Sequence, residues 1–161
     1  MGQLKEMGTW KKVDLPVGRQ AIGCRWVFMR KKDENRKIIK YKARLVAQGF
    51  SQKPGTDYSD NGTFAPVMRF KTLRTMLMHS AINNWKLRQF DIKGAYLHRE
   101  LEEEIYMAQA PGYTDGTDQV YLLIRALYGL KQAGNVWNTK LNDILTTLGY
   151  TQLKSDYCCY I

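Results

Sequence analysis

Long apolar runs are missing from this chain. No stretch of about 18 apolar residues occurs, so a membrane-crossing helix is not expected. The N-terminus also lacks the basic head, apolar middle and small-residue cleavage site of a secretory signal. Those absences predict a soluble, intracellular protein that is neither secreted nor held in a membrane. Cysteine is scarce and odd in number, at three, and two of the three, Cys158 and Cys159, are neighbours that ordinary disulfide geometry does not bridge. All three are therefore read as reduced thiols. No CxxC pair is present and the two histidines, His79 and His98, are far apart, which argues against a zinc site. They are read as a helix residue and a loop or helix-start residue.

Acid is the other shortage. Fifteen Asp and Glu face 25 Lys and Arg, a net charge of +10, and such an excess on a soluble domain argues for a polyanionic partner. Nucleic acid is the first expectation and an acidic membrane surface the second. At 161 residues, 44% of them hydrophobic and 12% aromatic, the chain can bury a core and reads as one domain. No internal repeat or low-complexity segment is visible.

The first twenty residues are amphipathic, then turn-rich, with LPVG at 15–18 as a stop. Residues 21–32 and 37–50 interleave β-branched and aromatic residues with Lys and Arg around the polar turn DENR, which predicts a basic two-stranded ribbon. Residues 51–66 read as a connecting loop. Phe70, Leu73, Leu77 and Ala81 recur at helical spacing, predicting a helix over 69–83. Residues 85–92, WKLRQFDI, alternate like a strand, with Asp91 near its carboxyl end. The acidic run Glu102, Glu103, Glu104 reads as a solvated helix or loop, and strands are expected at 105–110 and 120–129. A helix from Lys131 to about Leu148 carries the stripe Ala133, Trp137, Leu141, Ile144, Leu145 and Leu148, with Gly149 as its cap and a further strand in DYCCYI. The class is α+β.

A lone acid after an apolar and aromatic run raises a metal question. The answer comes from order. IGCRWVF, YKARLVAQGFSQ, GTDY, TFAPV, QFDIKGAYL, EEIYM, PGY and ALYGLKQA follow one another from about Trp10 to Ile161. That series resembles the reverse transcriptase of copia-type (Pseudoviridae) retrotransposons, an RNA-directed DNA polymerase within the pol polyprotein. The resemblance implies a right-hand polymerase fold, with about 1–84 as fingers and about 85–161 as a partial palm, an antiparallel sheet with helices on one side.

It also implies site roles. Asp91 would be the catalytic carboxylate and a ligand, with the Ile92 carbonyl, of the divalent cations that serve the primer 3′-hydroxyl and the leaving pyrophosphate; the ion is Mg²⁺, with Mn²⁺ as a substitute. Lys31 and Arg44 would grip the dNTP triphosphate. Tyr96 stands where the family usually has Phe, under the sugar, where it would exclude a 2′-hydroxyl. Tyr128 and Gly129 would border the nucleotide, Gly129 by letting backbone approach it closely. Gln132 and Lys131 would face the template and primer. Lys37, Lys40 and Lys42 are read as solvated or as contacts to template backbone.

The implied partners are RNA or DNA template with primer, dNTP and the remainder of the pol polyprotein, in a cytoplasmic virus-like particle or the nucleus. The family's second carboxylate motif, an aromatic-Val-Asp-Asp hairpin, would lie beyond Ile161, so the isolated chain is expected not to polymerise. Asn61 and Gly62 look inserted before TFAPV, Gly134 and Asn135 replace a Pro and an Arg, and Met29 replaces a lysine. Two other classes stay open: a non-catalytic nucleic-acid-binding module and a decayed retroelement remnant. The bland alternative for Asp91 is a solvated strand-end acid, and for Tyr96 simple core packing.

Overall fold

A computed structural model describes residues 1–59 and 62–161. The expected insertion at Asn61 lies outside the described residues. The elements run α1 (Gly2–Glu6), β1 (Trp10–Val13), β2 (Cys24–Lys32), β3 (Ile38–Ala47), α2 (Phe70–Ile82), β4 (Glu100–Met107), β5 (Val120–Arg125), α3 (Ala133–Thr147), β6 (Gln152–Leu153) and β7 (Asp156–Tyr160). The chain is mixed α and β, and its sheets are antiparallel, in the orders β1-β5-β4, β2-β3 and β6-β7.

The ribbon forms as its composition predicts. Its turn is held by Asp33, whose Oδ1 accepts from the Lys37 N–H at 2.8 Å while Arg36 takes a φ of +64°. Only the ribbon's base is buried. Ile22, Cys24, Leu45 and Ala47 join Leu97, Ile105, Met107, Tyr121, Leu123, Leu127 and Leu130 in the core, and Ile105 and Met107 are both 0% exposed. Full burial of such a side chain stabilises by roughly 1.5–3 kcal/mol. A parallel bridge between Ile22 and Met107 ties the base to β4. The rest of the ribbon projects from this anchor.

The three-stranded sheet joins both sides of residue 84, because β1 pairs with β5 in register from Trp10↔Leu123 to Val13↔Val120. Trp10 stacks on Tyr121 at 4.6 Å between ring centres. The four residues WKKV, half of them lysine, give no alternating stretch long enough to announce a strand.

Two expectations are corrected. Residues 85–92 form no strand. A strand exists only within a ladder, and no described edge pairs with this one; Trp85, Leu87, Phe90 and Ile92 stand exposed. Asp91 therefore lies in an irregular segment, followed by Gly94 at a φ of +62° and a 3-10 turn, Ala95–His98. The acidic run, expected as a helix or loop, belongs to β4. Register there jumps from Glu100↔Arg125 to Ile105↔Leu123, so 101–104 bulge from the ladder and Glu102 and Glu104 stay exposed. The strands expected at 105–110 and 120–129 end sooner, at Met107 and Arg125.

Helix α2 forms where its periodicity places it, with His79 inside it, yet Phe70, Met78 and Ile82 are exposed. Its N-terminus is held from β7: Asp156 Oδ2 accepts from the Arg69 N–H at 3.0 Å and the Thr72 hydroxyl at 2.7 Å. These bonds, with the Cys158 N–H, keep the Asp156 carboxyl below its usual range. Helix α3 packs its start on the core through Ala133 and ends at Gly149, whose φ is +91°. All three thiols are free.

Candidate nucleotide site

Antiparallel register decides which ribbon side chains share a face. Lys31 lies opposite Lys40, Met29 opposite Lys42 and Val27 opposite Arg44. Side chains alternate along a strand, so Lys31, Lys40, Lys42 and Arg44 all point to one side. Like charges placed directly across a ladder, as Lys31 and Lys40 are, oppose pairing. The Arg44 guanidinium holds the Lys42 ammonium below the usual lysine value; desolvation, Lys31 and Lys40 push the same way, and Asp91 pushes back. Asp91 thus shares the field of this cationic face.

Below the lysines the face ends in an aromatic stack. The Arg44 guanidinium lies over the Tyr128 ring, 5.5 Å from its centre. The Tyr128 ring meets the Tyr96 ring edge-on, with centroids 4.7 Å apart and planes 69° apart. Tyr96 comes from the 3-10 turn just after Asp91 and packs against the core. Tyr128 is fixed by its backbone, because its carbonyl accepts from the Ala47 N–H at 2.8 Å. Of the residues singled out from sequence, Arg44, Tyr128 and Tyr96 therefore form one stack, Lys31 stands further out on the same ribbon face, and Asp91 acts on that face through the charge of Lys42. Ile92 follows Asp91 with an exposed side chain.

Gly129 has a φ of +94°, and a Cβ there would fall under 3.0 Å from the Ala47 carbonyl oxygen and from Val46 Cγ1. The close approach that demands glycine here is to β3, and the turn after β5 is clamped onto the base of the ribbon.

Gln132, expected to face the template, is 1% exposed. Its Nε2 donates to the Asp57 carbonyl at 2.8 Å and its Oε1 accepts from Gln52 Nε2 at 3.0 Å, while Gln52 Oε1 accepts from the Lys131 N–H at 2.8 Å. Buried amides need such partners, and here they find them in each other. Lys131 is exposed; its Nζ donates to the Tyr58 hydroxyl at 2.8 Å. The sequence places Gln52, Asp57 and Tyr58 in a connecting loop, with GTDY among the ordered motifs, and gives Lys42 a solvated or template-backbone role; positions 40, 42 and 44 share one parity on β3.

Among the described residues no group of three or more His, Cys, Asp or Glu is placed to hold a metal ion. Asp91 is a single exposed carboxylate beside cations. That donor set does not fit a cation held by protein alone. It fits one shared with substrate phosphates, which Mg²⁺-like ions commonly use.

Similarity to known proteins identifies the family. The family described as "Reverse transcriptase (RNA-dependent DNA polymerase)" matches residues 7–161, and the chain belongs to it. The chain is 41% identical to the retrovirus-related Pol polyprotein from transposon TNT 1-94 of Nicotiana tabacum, over 99% of this chain and 12% of that protein. It is 38% identical to the Pol polyprotein from transposon RE1 of Arabidopsis thaliana, over 95% of this chain and 10% of the relative. The Transposon Ty1-DR5 Gag-Pol polyprotein of Saccharomyces cerevisiae is 32% identical over 90% of this chain and 8% of its own length. The chain thus spans about a tenth of the length of the curated relatives it matches. No solved structure matches it. No helix among the described residues is long and apolar enough to cross a membrane.

Proposed function

We propose that this chain is part of the RNA-directed DNA polymerase of a copia-type retrotransposon, with the ribbon as fingers, the segment around Asp91 as part of a palm, and a right-hand polymerase fold for the complete enzyme. The observation that carries the reading is the Arg44–Tyr128–Tyr96 stack at the foot of a ribbon face lined by Lys31, Lys40 and Lys42, with Tyr96 five residues after Asp91 in the chain.

Phosphoryl transfer depends on positioning and charge neutralisation. Arg44 offers a planar fork for two phosphate oxygens and Lys31, with Lys42 and Lys40, supplies point charges on the same face. A triphosphate also relieves the repulsion among these cations. Asp91, with the Ile92 carbonyl, would hold Mg²⁺ together with the phosphates; when bound, the ion supplies the charge that offsets the developing oxyanions. Tyr96 would sit against the sugar and reject a 2′-hydroxyl. Lys131 and the basic ribbon would meet template and primer backbone, and the remainder of a pol polyprotein would complete the enzyme.

Titration of the chain with dTTP in Mg²⁺ tests the reading. Arg44→Gln is expected to weaken dTTP binding about tenfold, the scale of a lost bidentate charged contact. Primer-template affinity should fall steeply with salt. Binding of dTTP that ignores both Arg44 and Asp91 contradicts the assignment.

A further inference from the structure

We propose that Tyr128 is a positioning residue that mechanically ties the triphosphate grip of Arg44 to the sugar gate of Tyr96, so that phosphate binding and 2′-hydroxyl rejection are set together. The inference rests on the nucleotide reading above and names a coupling within that site. Three side chains from three separate elements make one continuous stack. Arg44 comes from β3, Tyr128 from the turn after β5, and Tyr96 from the 3-10 turn after Asp91.

Tyr128 is the middle member and the best anchored. Its carbonyl is bonded to the Ala47 N–H at 2.8 Å, three residues along β3 from Arg44. The next residue, Gly129, is wedged against Ala47 and Val46 at a φ of +94°. The ring and the guanidinium therefore ride on one rigid frame. A guanidinium over a ring uses its face, which leaves its in-plane N–H donors free for phosphate oxygens. Tyr128 thus aims the fork of Arg44 without competing for its donors.

The same ring closes on Tyr96 from the other side, edge-on at 4.7 Å. Tyr96 has its backbone set by the turn that Gly94 begins at a φ of +62°, and part of its ring is packed in the core. The Tyr128 contact restrains the ring against swinging away from a bulkier sugar. Removing Tyr128 therefore loosens a fork and a gate at once. Removing Arg44 loosens only the fork.

The experiment uses this chain in Mg²⁺ with two probes, dTTP and 5-methyluridine triphosphate, which differ only at the 2′ position. Calorimetric affinities are compared for the unaltered chain and for Tyr128→Ala, Tyr128→Phe, Tyr128→Leu and Arg44→Gln. Tyr128→Ala should lose about fivefold in dTTP affinity and about fivefold in preference for the deoxy sugar. Tyr128→Phe should restore both, and Tyr128→Leu neither. Arg44→Gln should weaken both nucleotides alike and leave the preference intact.

An unchanged preference in Tyr128→Ala overturns the coupling, and so does rescue by Leu equal to that by Phe, which would mean packing alone. If Tyr128→Ala does not fold, the Phe and Leu variants decide. An unaltered chain that binds neither nucleotide removes the nucleotide reading itself and this inference with it, and one that binds both equally has no sugar gate and overturns the inference alone. Either failure is visible before any variant is made.

Discussion

Gly49 and Gly129 pack backbone to backbone: a Cβ on Gly49 would fall under 3.0 Å from the Gly129 carbonyl oxygen, and one on Gly129 would collide with the Ala47 carbonyl. With the Ala47 N–H donating to the Tyr128 carbonyl, this contact fixes the root of the ribbon to the turn that carries Tyr128. Position of the cationic face relative to the tyrosine pair follows from it.

Gly129→Ala adds both a collision and a strained positive φ. It should cost on the order of 3 kcal/mol in chemical denaturation. Gly49→Ala, which adds the collision alone, should cost less but still lower the midpoint. A Gly129→Ala protein as stable as the parent would mean the ribbon root is looser than described.

The titration of Lys42 reports the composition of the site. Its ammonium is held below the usual lysine value by Arg44 and supported by Asp91. Asp91→Asn should therefore lower the Lys42 midpoint further, and Arg44→Gln should raise it, as followed by NMR of the lysine side chain. The sign for stability follows from proton counting. Between the depressed folded value and the unfolded value near 10.4 the unfolded chain binds more protons, so stability rises with pH across that window. Below it the repulsion is fully present. A Lys42 midpoint that ignores Asp91 would separate the acid from the ribbon.

Gln132 offers a test of structural against template-binding roles. Gln132→Leu removes the Gln132 bonds of Gln52 Nε2 and the Asp57 carbonyl and leaves the pair only their own long 3.5 Å bond. The expected loss is about 1–3 kcal/mol in thermal or urea unfolding, the desolvation cost of such groups. Primer-template affinity of the folded protein should be unchanged. A selective loss of nucleic-acid binding at full stability would return Gln132 to the template side.

Local signals carried much of this fold and non-local ones did not. The ribbon was readable because Trp26, Val27 and Phe28 alternate with basic residues around a polar turn, and α2 and α3 because apolar residues return every three or four positions. Residues 85–92 alternate just as well, yet a strand needs a partner, and partners are not written in the segment itself. The bulge that carries Glu102 and Glu104 and the pairing of β1 depend on register with β5. At the site, the motif order brought Asp91, Lys31, Arg44, Tyr96 and Tyr128 into view. The network of Gln52, Asp57 and Gln132 stayed hidden because polar residues resemble loop until tertiary contacts bury them.

In the proposed function the Asp91 carboxylate and the cationic ribbon face together hold a metal-bound nucleoside triphosphate. Manganese added with dTTP to isotopically labelled chain tests it by paramagnetic broadening of the amides. Broadening is expected to centre on residues 90–93, to reach Lys42 to Arg44 on the ribbon, and to disappear in Asp91→Asn. Broadening centred on Glu102 to Glu104, or a pattern at 90–93 that survives Asp91→Asn, would contradict it.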